Sequence, residues 1–319
     1  MNPYVFLVGC PRSGTTLLGR MADAHRDLAV IHETRWIPRT FERREGLSPD
    51  GNVAPDLADR LRDTRALKSL GIDATEMESL IRAHLGVPFS RFVTELFDRY
   101  GRRRGKHLVG DKTPGYVRYL PTVHALWPEA KVVHLIRDGR DVCLSVLDWR
   151  KGATRFSTFE EDPVTTIGIW WEWYVQLGRE GGSELGPERY LEVRYESLVA
   201  EPEGETRRVC DFLGVAYDPA MVRFHEGRTK QKPNLSAKSA WLPVTSGLRD
   251  WRTQMTPDDL VGFEAAAGDV LDAFGYPRAT PSIPAPALER AARFRTTFAQ
   301  EADARRRPIP RSWTTVTAS

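Results

Sequence analysis

Phe6-Leu7-Val8-Gly9-Cys10-Pro11-Arg12-Ser13-Gly14-Thr15-Thr16-Leu17-Leu18 passes from an apolar run through a glycine-bounded turn into a helix start. A helix beginning near Thr15 turns unpaired backbone N–H groups and a partial positive charge toward whatever sits in the turn. Gly9 and Gly14 let the backbone curl around an anion. Ser13, Thr15 and Thr16 add hydroxyl donors, and Arg12 adds a planar charged fork. The ATP and GTP loop pattern G-x-x-x-x-G-K-[ST] has a lysine where this chain has Thr15. The cation has moved into the loop as Arg12.

Around this loop the chain reads as parallel α/β. Tyr4 to Val8 is a buried strand, Thr15 to Ala24 the following helix, and Val30-Ile31 a second strand ending at His32-Glu33-Thr34-Arg35. Residues 41–105 are charged and helix-rich, a helical insertion and a candidate lid. His107 to Val109 is a short strand running into Gly110-Asp111-Lys112-Thr113-Pro114, and Pro121 to Trp127 is helical. Lys131 to Ile136 is the clearest strand; it stops at Arg137-Asp138-Gly139-Arg140-Asp141, with a helix from Val142. Thr165 to Arg179 is a helix rich in tryptophan, Tyr190 to Val193 a strand, and Glu203 to Leu213 a helix. Thr256-Pro257-Asp258-Asp259 carries an N-cap, an early proline and first-turn acids. Alternating strands and helices imply a parallel sheet covered on both faces, with ligands beyond the strand carboxyl ends. Gly9 to Thr16, Glu33, Lys112, Arg137 and Tyr195 all fall at such ends. The expected division is a main domain over 1–278 and a peripheral helix and tail over 279–319.

The whole-chain numbers set limits. At 319 residues there is ample material for a core. A hydrophobic fraction of 41% and a charged fraction of 28% fit a soluble globular protein. A formal charge of +3 does not suggest nucleic acid, and the clusters Arg102-Arg103-Arg104 with Lys106 and Arg305-Arg306-Arg307 read as solvated surface. Cys10, Cys143 and Cys210 are far apart and odd in number, so neither a zinc site nor a disulfide framework is expected. No secretory leader or membrane span is read, so a cytoplasmic location is expected. The sequence sets no oligomeric state.

Arg137 at a strand end and Ser145 two turns into the next helix suit a second phosphate. Pro11-Arg12-Ser13-Gly14-Thr15-Thr16 followed by Arg137-Asp138-Gly139-Arg140-Asp141 and Ser145 resembles the sulfotransferase family. The donor of that family is 3′-phosphoadenosine 5′-phosphosulfate, which has two separate phosphate ends. The resemblance implies that Arg12, Ser13, Gly14, Thr15 and Thr16 hold the 5′-phosphosulfate. It implies Arg137 and Ser145 on the 3′-phosphate and Tyr195, in Tyr195-Glu196-Ser197-Leu198, near the nucleotide. The run Glu33-Thr34-Arg35-Trp36-Ile37-Pro38-Arg39, twenty-one residues after Arg12, is similar to one in tyrosylprotein sulfotransferases. By that resemblance Glu33 is the general base and Lys112, in Asp111-Lys112-Thr113-Pro114, a cation on the transferring sulfonyl group. Arg249-Asp250-Trp251-Arg252 resembles the end of a segment that closes over the 3′-phosphate in cytosolic members. Val244-Thr245-Ser246-Gly247 lacks their basic pair, leaving Arg249 or Arg252 to substitute.

The chemistry agrees with these roles. A hydroxyl is a poor nucleophile until a base takes its proton, a contribution of about 10²–10⁴ in rate. Charge spread over a transferring sulfonyl group calls for oriented donors such as Arg12, Lys112 and the loop amides. No metal is expected. The acceptor is expected to be a small-molecule or glycoside hydroxyl. Peptide tyrosine, a nucleotide kinase or NTPase, and a non-catalytic binding module stand as alternatives.

Overall fold

Five short runs, three of them largely apolar and two carrying charged residues, assemble into one parallel sheet. The computed structural model describes residues 3–62, 64–226, 244 and 249–305. The strands are β1 Val5–Gly9, β2 Leu28–His32, β3 Leu108–Lys112, β4 Lys131–Ile136 and β5 Tyr190–Arg194, in the order β2-β3-β1-β4-β5. β1 lies at the centre, with Leu7 opposite both Lys112 on β3 and Val133 on β4. From β1 the chain crosses to the β2 edge, whereas β3 connects past β1 to β4. The loop after β1 therefore sits where the connections diverge, the crevice in which parallel sheets bind ligands.

Period-2 alternation sends β1 side chains into two cores. Phe6 and Val8 face one, with the long helix Pro163–Leu185 and the helices Phe89–Arg102, Pro257–Ala273 and Ala285–Arg305. Val5 and Leu7 face the other, with Leu17, Leu18 and Met21 of the helix Thr15–Ala24 and with Val209 and Leu213 of Pro202–Leu213.

The structure departs from the sequence reading in three places. Lys112 is the last residue of β3 rather than a residue beyond it. The helix expected from Val142 starts at Gly139, because Asp138 caps it by accepting the Arg140 N–H at 2.9 Å. In the segment expected to form a lid, Phe89–Arg102 buries Phe89, Phe92, Val93, Leu96 and Phe97. Phe97 lies 6.4 Å from the Phe6 ring and 5.5 Å from Tyr4, so this helix is core rather than cover. No helix among the described residues is long and apolar enough to cross a membrane.

Candidate active site

The loop between β1 and the helix Thr15–Ala24 is shaped by backbone that side chains rarely allow. Gly9 has φ 153°, and a Cβ there would lie 2.4 Å from the Leu135 carbonyl oxygen. Gly14 has φ 94°, and its Cβ would meet the Tyr195 ring at 2.4 Å. Arg12 takes a positive φ of 78° without being glycine. The Ser13 N–H bonds to the Cys10 carbonyl at 3.1 Å and closes the turn. Among the described residues no side chain caps the helix start, and its first turn holds no acid. The N-terminal N–H groups and dipole are left for an anion. Ser13 Oγ is fully buried with no hydrogen-bond partner among the described residues, a feature that calls for a ligand or water.

Arg12 leaves the loop sideways. Its Nε donates to Ser145 Oγ at 2.9 Å, and its guanidinium lies 5.3 Å from the Trp149 ring centroid. The loop and the helix Gly139–Trp149 are thereby joined. Burial, then the charges of Arg249 and Arg137, push the Arg12 guanidinium below its ordinary value, with Asp148 opposing. Three guanidinium groups thus share one neighbourhood, an arrangement that favours a bound anion.

Arg137 and Ser145, grouped on one phosphate by the sequence reading, are both buried. They take separate partners. Arg137 donates to Asp141 at 3.1 Å and lies 4.3 Å from the Tyr195 ring centroid, and its Nε has no partner among the described residues. Ser145 accepts from Arg12 and keeps its own proton to donate. Tyr195 links both motifs by packing on Gly14 and under Arg137.

Lys112 crosses under the loop. Its side chain is fully buried; Nζ meets Glu33 Oε1 at 2.6 Å and Thr16 Oγ1 at a long 3.5 Å. The neighbouring Asp111 is not its contact: successive strand residues point to opposite faces, and Asp111 bonds the Thr34 N–H. Burial lowers the Lys112 ammonium to about 7, Asp111 pulling the other way. Burial raises the Asp111 carboxyl to about 6, with bonds from Thr113 and Thr34 opposing. Glu33 also accepts from Arg35 Nε at 2.7 Å, so its two oxygens are held by different cations.

Other contacts around the site escape a reading of the sequence. Arg140, inside the second motif, is fully buried, bonded to Asp138 at 2.8 and 3.0 Å and to Glu264 at 2.9 Å, and stacked 3.6 Å from the Trp251 ring centroid. Its role is architectural. Glu196 beside Tyr195 fixes the Asp138 N–H at 2.8 Å and accepts from Tyr276 at 2.9 Å. Arg249 and Arg252 take different neighbours. Arg249 pairs with Asp148 and acts on Arg12, whereas Arg252 is directed to Asp250 and lies over Trp251. Thr245, Ser246 and Gly247 lie outside the described residues, as do Arg306 and Arg307.

The family model described as "Sulfotransferase family" matches residues 3–219. The chain is 27% identical over 286 residues to protein-tyrosine sulfotransferase A of Caenorhabditis elegans, covering 88% of this chain and 69% of that protein. It is 28% identical over 287 residues to the protein-tyrosine sulfotransferase of Drosophila melanogaster, covering 88% of this chain. The chain spans about half the length of that relative, 53%. Among solved structures, the sulfotransferase domain from the Synechococcus PCC 7002 olefin synthase matches its fold with a TM-score of 0.58 at 23% identity, over 93% of this chain and 94% of that one.

Proposed function

This chain belongs to the sulfotransferase family, and from that premise we propose that it moves a sulfonyl group from 3′-phosphoadenosine 5′-phosphosulfate to the hydroxyl of a small molecule. The observation that carries this reading is the Glu33–Lys112 contact of 2.6 Å, made beside Thr16 of the loop. It supports a carboxylate serving as base beside a cation at the mouth of an uncapped helix N-terminus.

In this reading Arg12 to Thr16 hold the 5′-phosphosulfate. Arg137 and Ser145, with Arg249 replacing the basic pair, hold the 3′-phosphate. Glu33 takes the acceptor's proton as the acceptor oxygen bonds to sulfur. Lys112 neutralises the sulfonyl oxygens, while Arg12 and the loop N–H groups take up the charge left on the 5′-phosphate oxygen. Oriented donors of this kind often provide the largest catalytic contribution. Residues 1–278 form the transferase unit in this scheme, with 279–319 attached to it. Cys10, Cys143 and Cys210 are all unpaired and buried, which supports a reducing, cytoplasmic setting.

The relatives favour a second reading, transfer to peptide tyrosine, because both are protein-tyrosine sulfotransferases. Labelled donor offered with tyrosine peptides, small phenols and aliphatic alcohols separates the two. Turnover of small hydroxyl compounds with no turnover of peptide supports the first, and the reverse replaces it with the second. Calorimetry with 3′,5′-bisphosphoadenosine and with ATP and Mg²⁺ tests the donor. Preference for ATP and Mg²⁺ overturns the donor assignment.

A further inference from the structure

Glu33 and Arg35 both hold left-handed backbone, φ 62° and φ 61°, within one turn. Residues with a Cβ avoid that region, so the turn depends on something outside it. Tyr116, fully buried in the 3-10 turn Pro114–Tyr119, shares a hydrogen bond of 2.6 Å between its hydroxyl and Thr34 Oγ1. The same hydroxyl accepts the Ile37 N–H at 3.2 Å. Asp111 accepts the Thr34 N–H at 3.4 Å, and the Lys112 carbonyl accepts the Glu33 N–H at 3.0 Å. Thr34, flanked by the two left-handed residues, is therefore tied through both its N–H and its hydroxyl to the segment that carries Lys112.

We propose that Tyr116 is a positioning residue for the base: its hydroxyl, through Thr34, holds the 33–36 turn in the form that brings the Glu33 carboxylate to Lys112. The inference rests on the reading of Glu33 as base. It assigns Tyr116 no contact with substrate. The Tyr116 ring packs 6.4 Å from Phe6, so Tyr116→Phe preserves the packing and removes only the hydroxyl. The Ile37 N–H is then left buried without its acceptor and the Thr34 hydroxyl loses its Tyr116 partner, and the turn gains by relaxing.

Two measurements test this. The first is a crystal structure of Tyr116→Phe, which needs no acceptor. Glu33 is expected to leave the left-handed region and its carboxylate to part from Lys112; an unchanged turn with the contact intact overturns the proposal. The second compares para-cresol with para-nitrophenol as acceptors, at a pH where the latter is ionised. An ionised phenol has no proton to give and needs no base. Tyr116→Phe should lose about tenfold in kcat on para-cresol and little on para-nitrophenol. KM and the Kd for 3′,5′-bisphosphoadenosine should stay within about twofold, since only the proton transfer is disturbed. An equal loss on both phenols also overturns the proposal. Glu33→Gln keeps the two ideas apart. If its own loss fails to shrink on para-nitrophenol, the base assignment falls. If it shrinks while that of Tyr116→Phe does not, only the positioning role falls. Thr34→Val removes the same bond from the other side, and should reproduce the split if Tyr116→Phe does not fold.

Discussion

Lys112 connects three parts of the site: it ends β3, approaches Thr16 of the loop and holds Glu33. In the proposed reaction a cation so placed would act on charge that develops in the transition state more than on ground-state binding. Lys112→Ala should therefore lower kcat by about 10²–10³, with a much smaller change in affinity for 3′,5′-bisphosphoadenosine, as steady-state kinetics and calorimetry would read. Its pH dependence follows from burial. The ammonium is charged below its pKa and neutral above, and burial sets that value at about 7. Its help is present below that pH and lost as pH rises through it, so kcat/KM should show an alkaline limb beginning near 7. Bound donor, being anionic, favours the charged form, and the limb in kcat should lie at higher pH. A kcat/KM profile with no alkaline limb would remove Lys112 from the electrostatics. Gly14 makes a different kind of prediction. Any Cβ there meets both a disfavoured φ of 94° and the Tyr195 ring at 2.4 Å. Gly14→Ala should cost more than about 1 kcal/mol of stability, measured by denaturant midpoint, and weaken bisphosphoadenosine binding as Tyr195 is displaced.

Between elements, the segment Arg249 to Gln254 docks on the helix Gly139–Trp149. The Trp251 N–H donates to Asp141 at 3.1 Å, its ring lies over Arg140, and Arg249 reaches Asp148. This docking brings a third guanidinium toward Arg12, the place where a second phosphate would be held. Arg249→Ala should raise the Kd for 3′,5′-bisphosphoadenosine by about tenfold, the size of one charge-assisted hydrogen bond, and leave 5′-AMP binding unchanged. Equal weakening of both nucleotides would assign Arg249 to packing instead. The elements themselves were legible because each rests on a local signal. Lys131–Ile136 is a short apolar run with a charged stop, and Thr256 and Asp259 form the capping box that their spacing announces. The start at Gly139 is hidden because the Arg137-to-Asp141 run reads as a charged stop to the strand, whereas the Asp138 side chain caps the helix. The turn at Glu33 was unreadable for a deeper reason. Nothing in Glu33-Thr34-Arg35 marks left-handed backbone, which local sequence normally signals with glycine. The conformation accompanies bonds to Asp111 and Tyr116, about eighty residues away. Residue types carried the candidate chemistry; the geometry that orients it comes from long-range contacts.

At the scale of the molecule, the question is whether the described residues beyond 278, up to 305, are an attachment or part of one cooperative body. The helix Ala285–Arg305 buries Phe294 and Phe298 in the core that also holds Phe6. Phe298 stacks on Phe156 at 3.9 Å between centroids and meets Trp173 edge-on at 5.5 Å. Arg290 pairs with Asp162, Arg293 with Glu161 and Arg295 with Glu172. These partners lie in or just before the helix Pro163–Leu185, whose Trp171 donates to the Arg137 carbonyl at 3.1 Å. A disturbance at the C-terminal helix therefore has a packed route to the strand end that carries Arg137. Phe294→Ala should cost about 3–5 kcal/mol, the usual range for emptying a buried phenylalanine site. The whole loss should appear as a lower denaturant midpoint in a single transition. Tryptophan fluorescence, to which Trp170, Trp171 and Trp173 of the helix Pro163–Leu185 contribute, and far-ultraviolet circular dichroism should move together. If the helix were a separate attachment, an early circular-dichroism step would precede an unshifted fluorescence transition. Bisphosphoadenosine affinity in the variant would then equal that of the wild type after the first step, and the division at 278 would mark a real boundary of stability.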